Sequence, residues 1–216
     1  GTIWSQNDVA QRALATTNAG TSGSDTLYGT AHYSESLQGL DGNDTLVAVG
    51  NYDALYGGAG NDLLSASSGN AVGTVFQGGT GNDTITGTYY ADTYLFDRGD
   101  GADTIADDGG GLTNQADKLK FGTGITEDQL WFSRSGNHLD VGVIGTTDST
   151  RINNWYAGTQ YQIEVLELSD GQRLLNSQVN NLVQAMAAFA PPAPGQTTLT
   201  PEQQSALAPV IAANWN

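Results

Sequence analysis

Five aspartates, Asp25, Asp44, Asp62, Asp83 and Asp103, recur at the sixth place of a nine-residue pattern. Each closes a glycine-rich hexad and precedes a short aliphatic tripeptide, as in GLDGNDTLV from Gly39, GGAGNDLLS from Gly57 and GGTGNDTIT from Gly78. GTSGSDTLY from Gly20 and RGDGADTIA from Arg98 are looser copies. Carboxylates set among bare turn carbonyls are hard oxygen donors, and calcium takes about six to eight such ligands in a flexible geometry. Beside the five carboxylates, the expected carbonyl donors are Gly39, Asp41, Gly42, Gly57, Gly58, Gly60, Gly78, Gly79, Gly81, Gly99 and Gly101.

The phase of the repeats says how these donors are arranged. The well-kept copies start at 20, 39, 57, 78 and 98, and eroded copies lie between them, near 29, 48, 66 and 87. One repeat cannot bury its own apolar side, so repeats must stack. In a coil with two repeats per circuit, all the well-kept turns fall on one edge. Five stacked turns leave four gaps, so we expect about four calcium ions in a single row. On the other edge Glu35, Asp53 and Asp92 keep an acid, but Tyr33, Asn51 and Tyr90 replace the glycine, and residues 66–77 carry no acid at all. That edge should hold few ions or none; Asp53 and Asp92 are weaker candidate ligands there, and Asp100 is another on the first edge.

The elements that must hold these turns are short strands. The eighth-place residues Leu27, Leu37, Leu46, Leu55, Leu64, Phe76, Ile85, Tyr94 and Ile105 should point inward as two stacked ladders. After Asp107 the pattern changes to longer strand-like runs, 118–121, 129–132, 139–144, 150–156 and 162–168, separated by turn signals such as Ser135-Gly136-Asn137 and Asp170-Gly171. An open coil end exposes apolar surface and an unpaired strand edge, so this stretch reads as a cap. Helical spacing from about Ser177 to Phe189, then Pro191, Pro192 and Pro194, then Thr200-Pro201-Glu202-Gln203 predicts two short helices.

Charge bounds the partners. The chain of 216 residues carries a net charge of −16. From Gly20 to Asp108 there are thirteen acidic residues and one basic residue, Arg98. Such a segment repels itself unless something neutralises it. Nucleic acid is a poor partner and a multivalent cation a good one. There is no cysteine, so disulfides and thiolate metal sites are excluded. No run reaches the ~20 apolar residues of a membrane span.

The GGxGxDxUx pattern resembles the repeats-in-toxin (RTX) family of haemolysin-type calcium-binding repeats. That resemblance implies an all-β, right-handed parallel β-roll that folds when calcium binds, followed by a β-rich cap. The stretches YLFDRGDGADTI from Tyr94, ADKLKFGTGI from Ala116, LWFSRSGNHLDV from Leu130, INNWY from Ile152 and YQIEVLELSDGQRL from Tyr161 are similar to the capping region of such proteins. We expect a lead-in segment at 1–18, the roll at 19–108, the cap at 109–175 and a helical tail at 176–216. The tail is similar in place and composition to the C-terminal export signal of type I secreted proteins, or packs on the cap. The resemblance implies a secreted bacterial protein, extracellular or on the cell surface, with the type I secretion machinery as partner.

Other candidates for chemistry are few. Trp131, Trp155 and Tyr156 could make a sugar-binding platform, or could be core, leaving a calcium-stiffened adhesin or carbohydrate-binding module as an alternative function. His32 and His138 have no metal-ligand partner in the sequence. Asp107 and Asp108 suit a terminal cation ligand or a solvated turn. GxSxG, HExxH and P-loop motifs are absent. We therefore expect no catalysis in this segment, with any catalytic domain upstream of it; the remaining alternative is a non-catalytic part of a secreted polysaccharide-modifying enzyme.

Overall fold

The computed structural model describes residues 17–31, 34–67, 73–107 and 116–216. His32, Tyr33, Asp108 and residues 1–16 of the expected lead-in lie outside them. The described chain forms two eight-stranded sheets facing each other across one apolar seam. The first contains, in spatial order, β1 (Thr17–Ala19), β3 (Ser36–Asp41), β5 (Ala54–Ala59), β7 (Val75–Thr80), β9 (Thr93–Phe96), β11 (Lys118–Phe121), β15 (Val165–Glu167) and β16 (Arg173–Leu175). The second runs β2 (Thr26–Tyr28), β4 (Thr45–Ala48), β6 (Leu63–Ala66), β8 (Thr84–Thr86), β10 (Ala102–Ala106), β14 (Ser149–Ile152), β13 (His138–Val143) and β12 (Leu130–Ser135). From β1 to β11 consecutive strands alternate between the sheets and pair in parallel with the strand one circuit away, which makes an all-β parallel roll.

In-register pairing stacks like on like. One ladder runs Leu37, Leu55, Phe76, Tyr94, Leu119 and Leu166, and the other Leu27, Leu46, Leu64, Ile85, Ile105 and Ile152. All but Leu27 are buried to within 2%. Period-2 alternation buries every second residue of strands such as β4, β9 and β11, and each such large apolar side chain contributes roughly 1.5–3 kcal/mol. Phe76 and Tyr94 stack with ring centroids 5.5 Å apart.

The ladders do not stop where the repeats do. β11 and β15 continue the first sheet in parallel, and β14 continues the second. Closure comes from reversals: β13 and β12 pair antiparallel beyond β14, and β16 pairs antiparallel beyond β15. The reversals sit where the sequence signals turns, with Gly136 at φ 62° and Gly171 at φ 93°. The strand-like run at 150–156 ends at Ile152 because Asn154 takes φ 59° and the Ala157 N–H bonds back to its carbonyl.

Two helices lie on the cap, α1 (Asn176–Met186) and α2 (Pro201–Asn214). Helix α2 starts as expected: the Thr200 hydroxyl accepts the Gln203 N–H, while Gln203 Oε1 accepts the Thr200 N–H. Helix α1 buries Val179, Leu182, Val183 and Met186, and α2 buries Leu207 and Ile211. Asn181 and Asn214 bond across the pair, and Asn216 exchanges backbone hydrogen bonds with Arg173 of β16. The tail is thus part of the cap's packing.

Candidate metal centre

Each well-kept turn is forced by glycine at two kinds of place. Second- and fourth-place glycines such as Gly58 (φ 114°) and Gly60 (φ 135°) adopt backbone that side chains resist. First-place glycines are needed for space. A methyl carbon added to Gly39 would lie within 3.0 Å of both Asp44 Oδ2 and the Gly57 carbonyl oxygen. At Gly57 it would meet Asp62 Oδ2 and the Gly78 oxygen, and at Gly20 Asp25 Oδ2 and the Gly39 oxygen. The gaps above the turns at 20, 39 and 57 therefore each bring a carboxylate oxygen and a carbonyl from the next turn to one small space, while at Gly78 the added carbon meets Asp83 itself.

The other carboxylate oxygen is already used. Asp25, Asp44, Asp62 and Asp83 donate their backbone N–H to Oδ1 of Asp44, Asp62, Asp83 and Asp103 respectively, at 2.7–2.9 Å. A second ladder runs beside it in the opposite sense: Asn61, Asn82 and Ala102 donate their N–H to Oδ1 of Asn43, Asn61 and Asn82. These fifth-place asparagines are legible in the GND of each clean copy, but an amide in a turn gives no metal-ligand signal in the sequence. The ladders leave Oδ2 of Asp44, Asp62 and Asp83 buried without any hydrogen-bond partner. Buried anionic oxygens with no donor, those of Asp44 and Asp62 beside a carbonyl of the next turn, are what a hard cation satisfies and a protein alone does not. The residues present fit calcium; when bound it would supply the positive charge these oxygens lack.

The opposite edge is closed differently. Asp53 Oδ1 accepts the Glu35 N–H and its Oδ2 the Gly50 N–H, both at 2.9 Å. Asp92 Oδ1 accepts from Thr74 N, and its Oδ2 from both the N–H and the hydroxyl of Thr88. Glu35 accepts from the N–H and hydroxyl of Thr30. Here the turn's own donors take the place a cation would fill. The first turn of the well-kept edge behaves likewise, since Asp25 Oδ2 accepts from the N–H (2.6 Å) and hydroxyl (2.8 Å) of Thr21.

Comparison with known proteins agrees with this geometry. The family model for the RTX calcium-binding nonapeptide repeat matches residues 19–31, 35–72 and 75–93. These are RTX calcium-binding repeats. The model for the haemolysin-type calcium binding protein related domain matches residues 138–178, within the cap. The iron-regulated protein FrpA of Neisseria meningitidis serogroup C is 32% identical over 95 residues, 43% of this chain. The match spans only 8% of that relative's length.

Burial shapes the electrostatics of the RTX row. It pushes the Asp83 carboxyl up to about 7 and that of Asp103 up to about 8, and neighbouring acids add repulsion. Asp62 is raised for the same reasons, and Asp100 is raised to about 6 by burial and by the charges of Asp97 and Asp148. No lysine or arginine contributes to any of these shifts. Among the described residues the ion pairs lie in the cap: Lys120 and Arg173 with Glu167, and Arg151 with Asp140.

The remaining candidates separate. Asp100 Oδ2 accepts the Asp97 N–H, and Asp148, which the sequence did not single out, accepts the Gly99 N–H. Asp148 reaches the row because β14 pairs in parallel with β10, a long-range relation with no local signal. The carbonyls of Gly81 and Gly101 are taken by the N–H groups of Ala102 and Ser149. Asp41 is exposed. Trp155 and Trp131 are buried, to 2% and 7% exposure, and Tyr156 lies under the Arg134 guanidinium; the three form no exposed stacking face. His138 Nδ1 accepts the Asn154 N–H. Among the described residues no helix is long and apolar enough to cross a membrane.

Proposed function

We propose that this chain is a calcium-triggered folding module of a larger secreted protein, carrying no catalysis of its own. The observation that carries the reading is the set of orphaned oxygens, Asp44 Oδ2, Asp62 Oδ2 and Asp83 Oδ2, stacked on one edge. Three ions belong in the gaps above the turns at 39, 57 and 78. The gap above the turn at 20 is weaker, because Thr21 already satisfies Asp25 Oδ2. Without cations the row is a column of buried, mutually repelling carboxyls, so coiling is opposed. With them each gap gains a link between successive turns, and binding energy becomes folding energy. Extracellular calcium modules bind at about 10⁻⁴ to 10⁻³ M, which leaves the chain open in a calcium-poor cytosol and folded outside.

The tail supports the same order of events. Leu207, Ile211 and Trp215 are buried in the folded cap, so an export machinery that reads this segment must do so before folding. Calcium then acts as the signal that ends export competence. Far-UV circular dichroism with millimolar calcium and with excess chelator tests the proposal: strand signal should appear only with calcium, and a well-folded spectrum in chelator overturns the switch.

A further inference from the structure

Orphaned oxygens and asparagine rungs occupy the same three gaps. Above the turn at 39, Asp44 Oδ2 has no partner and Asn43 Oδ1 accepts the Asn61 N–H at 2.7 Å. Above the turn at 57, Asp62 Oδ2 has none and Asn61 Oδ1 accepts the Asn82 N–H at 2.8 Å. Above the turn at 78, Asp83 Oδ2 has none and Asn82 Oδ1 accepts the Ala102 N–H at 2.9 Å. The gap above the turn at 20 has neither feature. Its fifth place is Ser24, whose hydroxyl accepts the Asn43 N–H at 3.2 Å, and its Asp25 Oδ2 is taken by Thr21. The ladder ends where the repeats meet the cap, because Ala102 has no side-chain acceptor.

What Oδ2 meets depends on where the donors of its own turn point. In three turns with Ser24, Tyr52 or Ala91 at the fifth place, an N–H of the same turn curls back onto the carboxylate: Thr21 onto Asp25, Gly50 onto Asp53 and Thr88 onto Asp92. Turns with asparagine there stay extended. Strands β3, β5 and β7 run on into them, so that Leu40 and Asp41 pair with Gly58 and Ala59, and these pair with Gly79 and Thr80. The Gly42, Gly60 and Gly81 N–H groups likewise donate to carbonyls of the next turn, each at 2.8 Å. The asparagine rung carries this turn-to-turn pairing one residue further, and the aspartate rung beside it donates in the other direction, so each gap is clasped twice. Backbone donors spent on neighbouring turns are not spent on Oδ2. We propose that Asn43, Asn61 and Asn82 are positioning residues for calcium: each amide oxygen holds the next turn flat above its own and so reserves the adjacent aspartate Oδ2 for the cation. The inference rests on calcium occupying the row. The amides act through the carboxylates rather than as ligands, and all three side chains are exposed, so truncating one opens no cavity.

Equilibrium dialysis of the whole chain, at a calcium concentration that just saturates the native row, tests it, with circular dichroism showing that each variant is folded. Asn61→Ala deletes the acceptor of one rung and should fall short of the native count by up to one ion. The missing ion should return when calcium is raised roughly two- to tenfold, the factor one hydrogen bond is worth. Asn61→Asp keeps the accepting oxygen and should keep the native count. Asp53→Asn loses a hydrogen bond on the opposite edge and should also keep the count, so a rung that only stabilises the fold would behave like it. A native count in Asn61→Ala overturns this proposal alone, and a native chain that binds no calcium overturns the row as well. Where Asn61→Ala does not fold, Ser24→Asn combined with Thr21→Gly decides. That chain should bind one ion more than Thr21→Gly alone, and equal counts overturn the proposal.

Discussion

Replacing Asp62 and Asp53 by asparagine separates a carboxylate that awaits a cation from one the fold already satisfies. In Asp62→Asn the amide oxygen can still accept the Asp44 N–H, now held at 2.7 Å by Oδ1. The amide nitrogen then takes the place of the orphaned Oδ2, beside the Gly78 carbonyl. It can donate there, so the calcium-free fold loses nothing, but the gap loses its anionic ligand. In Asp53→Asn the nitrogen faces the Gly50 N–H that now bonds Oδ2 at 2.9 Å; one buried hydrogen bond goes and a donor is stranded, costing about 1–3 kcal/mol at any calcium concentration. The assay is denaturant unfolding at a series of calcium concentrations that keep the chain folded. Above saturation each bound ion adds about 1.4 kcal/mol of stability per tenfold rise in calcium. Asp62→Asn should lower that slope by one ion's worth, while Asp53→Asn should keep the slope and lower the whole line by about 1–3 kcal/mol. Equal slopes for Asp62→Asn and the native chain, or a reduced slope for Asp53→Asn, would refute the assignment of the two edges.

Three further outcomes follow from the same structure. Because burial raises Asp83 to about 7 and Asp103 to about 8, against about 4 in an unfolded chain, the calcium-free fold binds protons the unfolded chain releases. Its stability in chelator is therefore greatest near or below about pH 4 and is lost as pH rises through about 7–8. Calcium meets an unfolded chain whose carboxyls, near about 4, are already ionised between about pH 6 and 8, so the calcium midpoint for folding should shift little over that range; circular dichroism at several pH values, with calcium and with chelator, checks both outcomes. Gly60→Ala should impair folding with or without calcium, because its Cβ would sit at φ 135° against the Gly42 carbonyl; the readout is the loss of strand signal at saturating calcium. Phe76→Ala removes a fully buried ring stacked on Tyr94 and should cost about 3–5 kcal/mol in denaturant unfolding at saturating calcium.

The roll was legible because its code is local and repeated. Glycine at the fourth place, aspartate at the sixth and an aliphatic residue at the eighth each follow from one turn and one three-residue strand, and stacking copies them in register. Leu37, Leu55, Phe76 and Tyr94 meet on one ladder for that reason alone. The partition of donors within the row was not legible. Which oxygen of Asp44 is spent on the Asp25 N–H, and whether Thr21 closes the first gap, depend on turn geometry that differs little in sequence from an open gap. Long-range pairings were also hidden. Asp148 reaches Gly99, and Asp117 and Glu164 reach Asp92 and Asp107, only because the parallel sheets run on into the cap.

Where calcium sits along the repeats decides between a one-edged row and a two-edged coil. An anomalous difference map from crystals grown in calcium should show peaks beside Asp44 Oδ2, Asp62 Oδ2 and Asp83 Oδ2, and none beside Glu35 and Asp53. Peaks distributed equally over the two edges, or an empty row in a folded chain, would contradict it.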